Sequence, residues 1–149
     1  MIYKPKNCAL YEVLPEAFYK IYKHRGRSLW QVMDIRVLIT LERLGKRYGK
    51  VYMNDYYWGG LNQEKGYRVF GTKTGASLSQ HKFARAGDPK FSDATAKEVR
   101  ADLKKHPDDE TFEFITSIEM YVPWFHFDVR NWNKAKSGVL KVYPGNKKR

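Results

Sequence analysis

Residues 114–130 read FITSIEMYVPWFHFDVR, and two runs of period-two alternation meet inside them. In Phe114–Val122, Ile118, Met120 and Val122 share one face while Ser117, Glu119 and Tyr121 share the other. In Trp124–Arg130, Phe125, Phe127 and Val129 form an apolar face, and Trp124, His126, Asp128 and Arg130 point the opposite way. A turn around Val122-Pro123 makes this an antiparallel hairpin. The register that puts the apolar residues on one side pairs Met120 with Phe125 and Glu119 with His126. Directly opposed residues have Cβ atoms roughly 4.5–5.5 Å apart. Proline is awkward at the second turn position, so a loop of Tyr121 to Trp124 serves the same pairing.

Outward from the hairpin, helical spacing predicts a helix from an N-cap at Ser28 through Leu29, Val32, Met33, Val37, Leu41 and Leu44, ending at Gly45 or Gly49. A shorter helix is expected over 15–23, and another over 93–105, capped by Ser92 or Asp93. Residues 50–56 alternate as a strand. Residues 57–80 carry five glycines and read as an irregular loop region with short strands. The expected architecture is α+β: a mainly antiparallel sheet of about four to six strands, with helices packed on one side.

The chain has 149 residues, 42% apolar and 15% aromatic. That is one domain, residues 1–149, with its core about 28–142 and a basic tail at 146–149. No apolar run approaches the roughly 18 residues of a membrane span. The first residues lack the pattern of a secretion signal, which suggests a protein made in the cytoplasm. Cys8 is the single cysteine, so no internal disulfide forms. Lys and Arg total 28 against 16 Asp and Glu, a net charge of +12. Such a surface attracts polyanions without choosing among them. Tyr56, Tyr57, Trp58 and Lys65 offer a nucleic-acid reading, but no nucleic-acid motif accompanies them.

Of four histidines, His24 and His106 lie in polar contexts and read as surface residues. His81 precedes Asp88 by seven residues, a separation of roughly 10 Å on one straight helix. Ala84, Ala86 and Gly87 instead suit a turn between two short strands, where His81 and Asp88 converge. With His126 they would make a two-histidine, one-carboxylate set of the kind catalytic zinc uses. On spacing alone, the ordinary reading is a buried histidine hydrogen-bonded to a carboxylate.

The stretch Ser77–Asp88, SLSQHKFARAGD, resembles the S-x-H-x-x-G-x-A-x-D signature of the zinc D-alanyl-D-alanine carboxypeptidase family, which includes phage endolysins that cut peptidoglycan peptides. Ser79, His81, Ala86 and Asp88 fall in register, and Ala84 stands where the family has glycine. Trp124 to Asp128 is similar to the family's W-x-H-x-D segment, and Gly66-Tyr67-Arg68 to its G-Y-R segment. The resemblance spans roughly residues 28–142. It implies one zinc per chain on the open face of the sheet, held by His81, Asp88 and His126. It also implies that Arg68 contacts substrate. Ser79 either hydrogen-bonds substrate or finishes a strand. Many members carry an acid three residues before the last histidine, where this chain has Pro123. A phage-type branch carries it in an Ile-Glu segment, which Ile118-Glu119 resembles. Both the resemblance and the hairpin register therefore nominate Glu119 as general base. Asp128 is the rival, though its place two residues after His126 suits a partner that holds the histidine. The implied function is zinc-dependent hydrolysis of peptidoglycan stem peptides or cross-links by an endolysin or virion-associated peptidase acting on the cell wall. The alternative is an inactive phage virion or tail protein of the same fold that binds wall or tail proteins.

Overall fold

The computed structural model describes residues 1–146. The hairpin forms in the expected register: Ser117 pairs Asp128 and Ile118 pairs Phe127, and the Glu119 N–H donates to the His126 carbonyl at 3.4 Å. Among the described residues there are five helices: α1 (Leu10–Val13), α2 (Glu16–Tyr22), α3 (Ile35–Tyr48), α4 (Ala96–Lys105) and α5 (Lys134–Ser137). Six short strands accompany them: β1 (Val51–Tyr52), β2 (Ala86–Gly87), β3 (Lys90–Phe91), β4 (Ser117–Glu119), β5 (Phe127–Asp128) and β6 (Leu140–Val142). The strands make a four-stranded sheet ordered β2-β5-β4-β6 and a two-stranded sheet β1-β3. All pairs are antiparallel except β4 with β6. The fold is α+β, as the alternation predicts.

Several boundaries differ from expectation. Residues 23–32 form a 3-10 segment broken at Gly26, whose φ is 55°, and Met33 is extended. The long helix therefore starts later, at a cap supplied by Asp34, whose carboxylate accepts from the Arg36 N–H at 2.9 Å. Ser28 instead donates its hydroxyl to the Arg25 carbonyl. Leu29, Trp30 and Met33 are buried all the same, because a period near three and one of 3.6 both return them to the core side. The cap of α4 is Thr95, in a reciprocal box with Glu98, rather than Ser92 or Asp93. Ser92 accepts from the Lys50 N–H. The strand expected over 50–56 stops at Tyr52, because Asn54 turns to the N-terminal helices, donating to the Leu14 carbonyl at 2.9 Å.

The core joins Val37, Leu38, Leu41 and Leu44 of α3 to Phe112, Ile115, Ile118, Phe125, Phe127 and Val129. Each such side chain stabilises the fold by about 1.5–3 kcal/mol on burial. Cys8, Val13 and Leu14, upstream of residue 28, join the same cluster. In the basic tail, residues 147–149 lie outside the described residues. No helix among the described residues is long and apolar enough to cross a membrane.

Candidate metal centre

His126 reaches the site from the strand run ahead of β5. It alternates with Phe125 and Phe127, which hold that run in the core. Asp88 follows β2 directly, and its N–H donates to the Lys65 carbonyl at 2.8 Å. His81 sits in a 3-10 turn, Gln80–Phe83, rather than beside a strand. That turn ends at Ala84 with φ 55°, a left-handed conformation that favours glycine. The resembled motif has its glycine at this position.

The segment 65–68 ties these pieces together. The Tyr67 N–H donates to the Val13 carbonyl at 2.8 Å, and the Arg68 N–H to the His81 carbonyl at 3.0 Å. The Gly66 carbonyl accepts from His81 Nδ1–H at 2.7 Å. A carbonyl can only accept, so the neutral His81 ring carries its lone pair on Nε2. On the other histidine, Nε2–H donates to the Asp128 carboxylate at 3.0 Å, which in the neutral ring leaves the lone pair on Nδ1.

These two lone pairs face each other and the Asp88 carboxylate. His81 Nε2 lies 3.2 Å from His126 Nδ1 and 3.2 Å from Asp88 Oδ1, and His126 Nδ1 lies 2.8 Å from the same oxygen. All three residues are buried. The triad lies close enough to bind one metal ion. Three acceptors around one point need a cation between them, either a proton or a metal. The donor set of two imidazoles and one carboxylate fits zinc, and each histidine's outer nitrogen is already engaged.

The electrostatics agree with a cation-demanding centre. Burial raises the Asp88 carboxyl, but the two histidines outweigh it and hold it well below the usual range. Burial opposes charge on His126, yet the Asp128 and Asp88 carboxylates push it up to about 9. Burial lowers His81 despite Asp88. Asp128 is fully buried. Burial raises it, but Arg130, which donates to both its oxygens at 2.7 and 2.6 Å, and His126 keep it ionised.

A cleft of about 670 Å³ opens over the triad, and Arg68, Ser79 and Glu119 line it together with His81, Asp88 and His126. Asp128 lies behind His126, against the nitrogen that faces away from the triad. Glu119 accepts from the Trp124 indole N–H at 2.7 Å through one oxygen. Arg68 donates to the Glu64 carbonyl at 2.8 Å and to Asp88 Oδ2 at 3.3 Å. Ser79 begins the 3-10 turn that carries His81, and its hydroxyl makes no hydrogen bond among the described residues. His24 and His106 are exposed, and His106 pairs with Asp102.

Four contributors escape the sequence reading: the Gly66 carbonyl, Trp124 as a donor to Glu119, the Arg130 clamp on Asp128, and Gln80. Gln80 lines the cleft with a buried Oε1 that lacks a partner. The alternation at 124–130 places Trp124 and Arg130 on the His126 face and could have found those two. The other two depend on the fold of the irregular segments. No family model matches the chain, and no curated protein or solved structure matches it either.

Proposed function

We propose that this chain is a zinc-dependent peptidase that hydrolyses amide bonds in bacterial peptidoglycan, as an endolysin or virion-associated enzyme. The observation that carries the reading is the convergence of His81 Nε2, His126 Nδ1 and Asp88 Oδ1 within 3.2 Å of one another under a cleft that also holds Glu119. The motif resemblance supplies the substrate class, and the +12 charge suits an anionic wall.

His81, Asp88 and His126 would hold the ion. Bound there, zinc supplies a Lewis acid that polarises a carbonyl and acidifies water toward neutral pH. Glu119 takes a proton from the attacking water as its oxygen bonds to the carbonyl carbon. It returns that proton to the amine as the C–N bond breaks. The Trp124 N–H fixes one Glu119 oxygen and leaves the other for this work. Arg68, always charged, has donors beyond those given to Glu64 and Asp88 for a substrate carboxylate or oxyanion. Asp128 and Arg130 keep the His126 ring oriented.

The test is zinc content and release of new amino groups from purified peptidoglycan, measured side by side for several variants. Wild type should carry one zinc and release amino groups. His81→Ala should lose the zinc, and His106→Ala should keep it. Glu119→Ala should keep zinc and fold but lose at least roughly a hundredfold in rate. Asp128→Asn should weaken metal affinity or activity by about 10–100-fold. Near-normal turnover in Glu119→Ala with collapse in Asp128→Asn moves the base to Asp128. A zinc-loaded wild type that releases nothing favours a wall-binding virion protein.

A further inference from the structure

A second cleft, of about 510 Å³, shares Asp88 with the first. The 65–68 segment runs between them: Lys65 lines the second cleft and Arg68 the first. The candidate chemistry uses none of the second cleft's other residues. Lys50, Lys65 and Lys90 line it, and among the described residues none of their ammonium groups makes an ion pair within 4 Å or a hydrogen bond. Lys50 lies over the Tyr52 ring at 5.1 Å.

Trp58 stands at this cleft and is 63% exposed. Its exposure does not come from a loose loop. The Trp58 and Gly60 N–H groups both donate to the Asp55 carbonyl, at 3.0 and 3.1 Å. The Asp55 carboxylate accepts from the Asn62 backbone N–H and side-chain amide at 2.7 Å each. Trp58 also packs edge-to-face on Tyr11 at 5.3 Å, and Tyr56 is anchored to the Leu14 carbonyl. A large aromatic held rigid and left in water is a preorganised contact surface.

The surroundings choose among polyanions. Glu12 and Asp55 share the cleft with the lysines, a mixture of signs that repels a phosphate on every residue of a nucleic acid strand. Tyr11 and Tyr57 already stack on each other at 4.0 Å, which removes one face from each as a base platform. A sugar ring offers an apolar C–H face to an indole and hydroxyls to mixed polar groups, and its acidic substituents are spaced apart.

We propose that this second cleft binds a carboxylate-bearing amino-sugar chain, with a sugar ring on Trp58 and carboxylates on Lys50, Lys65 and Lys90. The inference rests on the peptidoglycan reading, and it names the glycan side of that substrate. A strand held here by muramic residues that carry no peptide lies one wall away from the candidate metal centre, where a peptide on a neighbouring muramic residue would react.

The full chain is titrated by calorimetry with three probes: peptide-free strands of alternating N-acetylglucosamine and N-acetylmuramic acid, a neutral N-acetylglucosamine tetramer, and single-stranded oligothymidylate. The anionic glycan should bind most tightly. Trp58→Ala should weaken it about tenfold, the scale of losing one aromatic partner, and Trp58→Phe should fall between. Replacing Lys50, Lys65 and Lys90 together by Gln should weaken the anionic glycan, flatten its salt dependence and spare the neutral tetramer. Trp58→Ala should also slow release of amino groups from intact sacculi while leaving hydrolysis of a soluble stem peptide unchanged. Absence of glycan binding, indifference to Trp58→Ala, or tighter binding of the oligothymidylate overturns the proposal. A wild type that cleaves neither substrate removes the peptidase reading, and the glycan titration still decides this one.

Discussion

Gly66 shows how a residue without a side chain can position a cluster that could hold a metal ion. A Cβ at this position would lie 2.4 Å from the Val13 carbonyl oxygen, a contact backbone cannot relieve without moving. The Gly66 carbonyl orients His81, so any shift is passed to a member of the triad. Gly66→Ala should destabilise the protein by about 2 kcal/mol and weaken zinc binding by about 10–100-fold. Competition with a chelating indicator and thermal unfolding read the two effects separately; full zinc affinity in a destabilised variant would show that the carbonyl does not govern the ligand. Ala84 is the opposite case. It adopts φ 55° with a methyl group present, a conformation that costs about 1–2 kcal/mol for a residue with a Cβ. The three residues of the triad were nominated by the motif pattern. The Gly66 carbonyl was not, because a backbone acceptor belongs to no residue type.

At the scale of the element, α3 separates pattern from cap. Leu29, Met33, Val37, Leu41 and Leu44 keep helical spacing across a real break, so periodicity alone runs the helix back to Ser28. The break lies in backbone geometry, at Gly26 and extended Met33. Asp34 accepts from the N–H of Arg36, the second residue of the helix, and also pairs with the Arg36 side chain at 2.7 Å. Asp34→Ala should therefore cost about 1–2 kcal/mol, whereas Ser28→Ala should stay within about 0.5 kcal/mol. Urea unfolding of both variants checks this, and equal losses would argue against the Asp34 cap. In α4 the capping signal was present in the chain as Thr95-Ala96-Lys97-Glu98. Ser92 and Asp93 are equally good cap residues by type, and only the chain path assigns Ser92 to Lys50 instead.

Across the whole molecule, α3 and α4 are joined by an ionic cluster. Arg47 donates to both oxygens of Asp102 at 2.6 and 2.9 Å and to Asp109 at 3.0 Å. Tyr48 and His106 also donate to Asp102. The Arg47 hydrogen bonds hold the Asp102 carboxyl well below the usual carboxylate range, against a partial burial that raises it. A carboxyl depressed by folding contributes its full stability above its unfolded value of about 3.9. That contribution is lost as pH falls from there through the folded value. Asp102→Asn should be less stable than wild type at pH 7 and should lose less stability below about pH 4. Urea midpoints at neutral and acid pH measure this, and parallel acid losses in both proteins would place the acid sensitivity elsewhere.

The sequence by itself determined the α+β class, the hairpin register and the pairing of Glu119 with His126, because period-two alternation assigns each residue to a face and the short turn at Val122-Pro123 then fixes which residues oppose. With the motif resemblance it also nominated His81, Asp88 and His126. Only the tertiary structure decided that the three side chains converge, since that depends on an irregular 65–68 segment held by hydrogen bonds to Val13, Asn54, His81 and Asp88. Segments of that kind have no periodicity to read. Their path is set by which distant carbonyls and N–H groups remain unpaired once the helices and strands have formed.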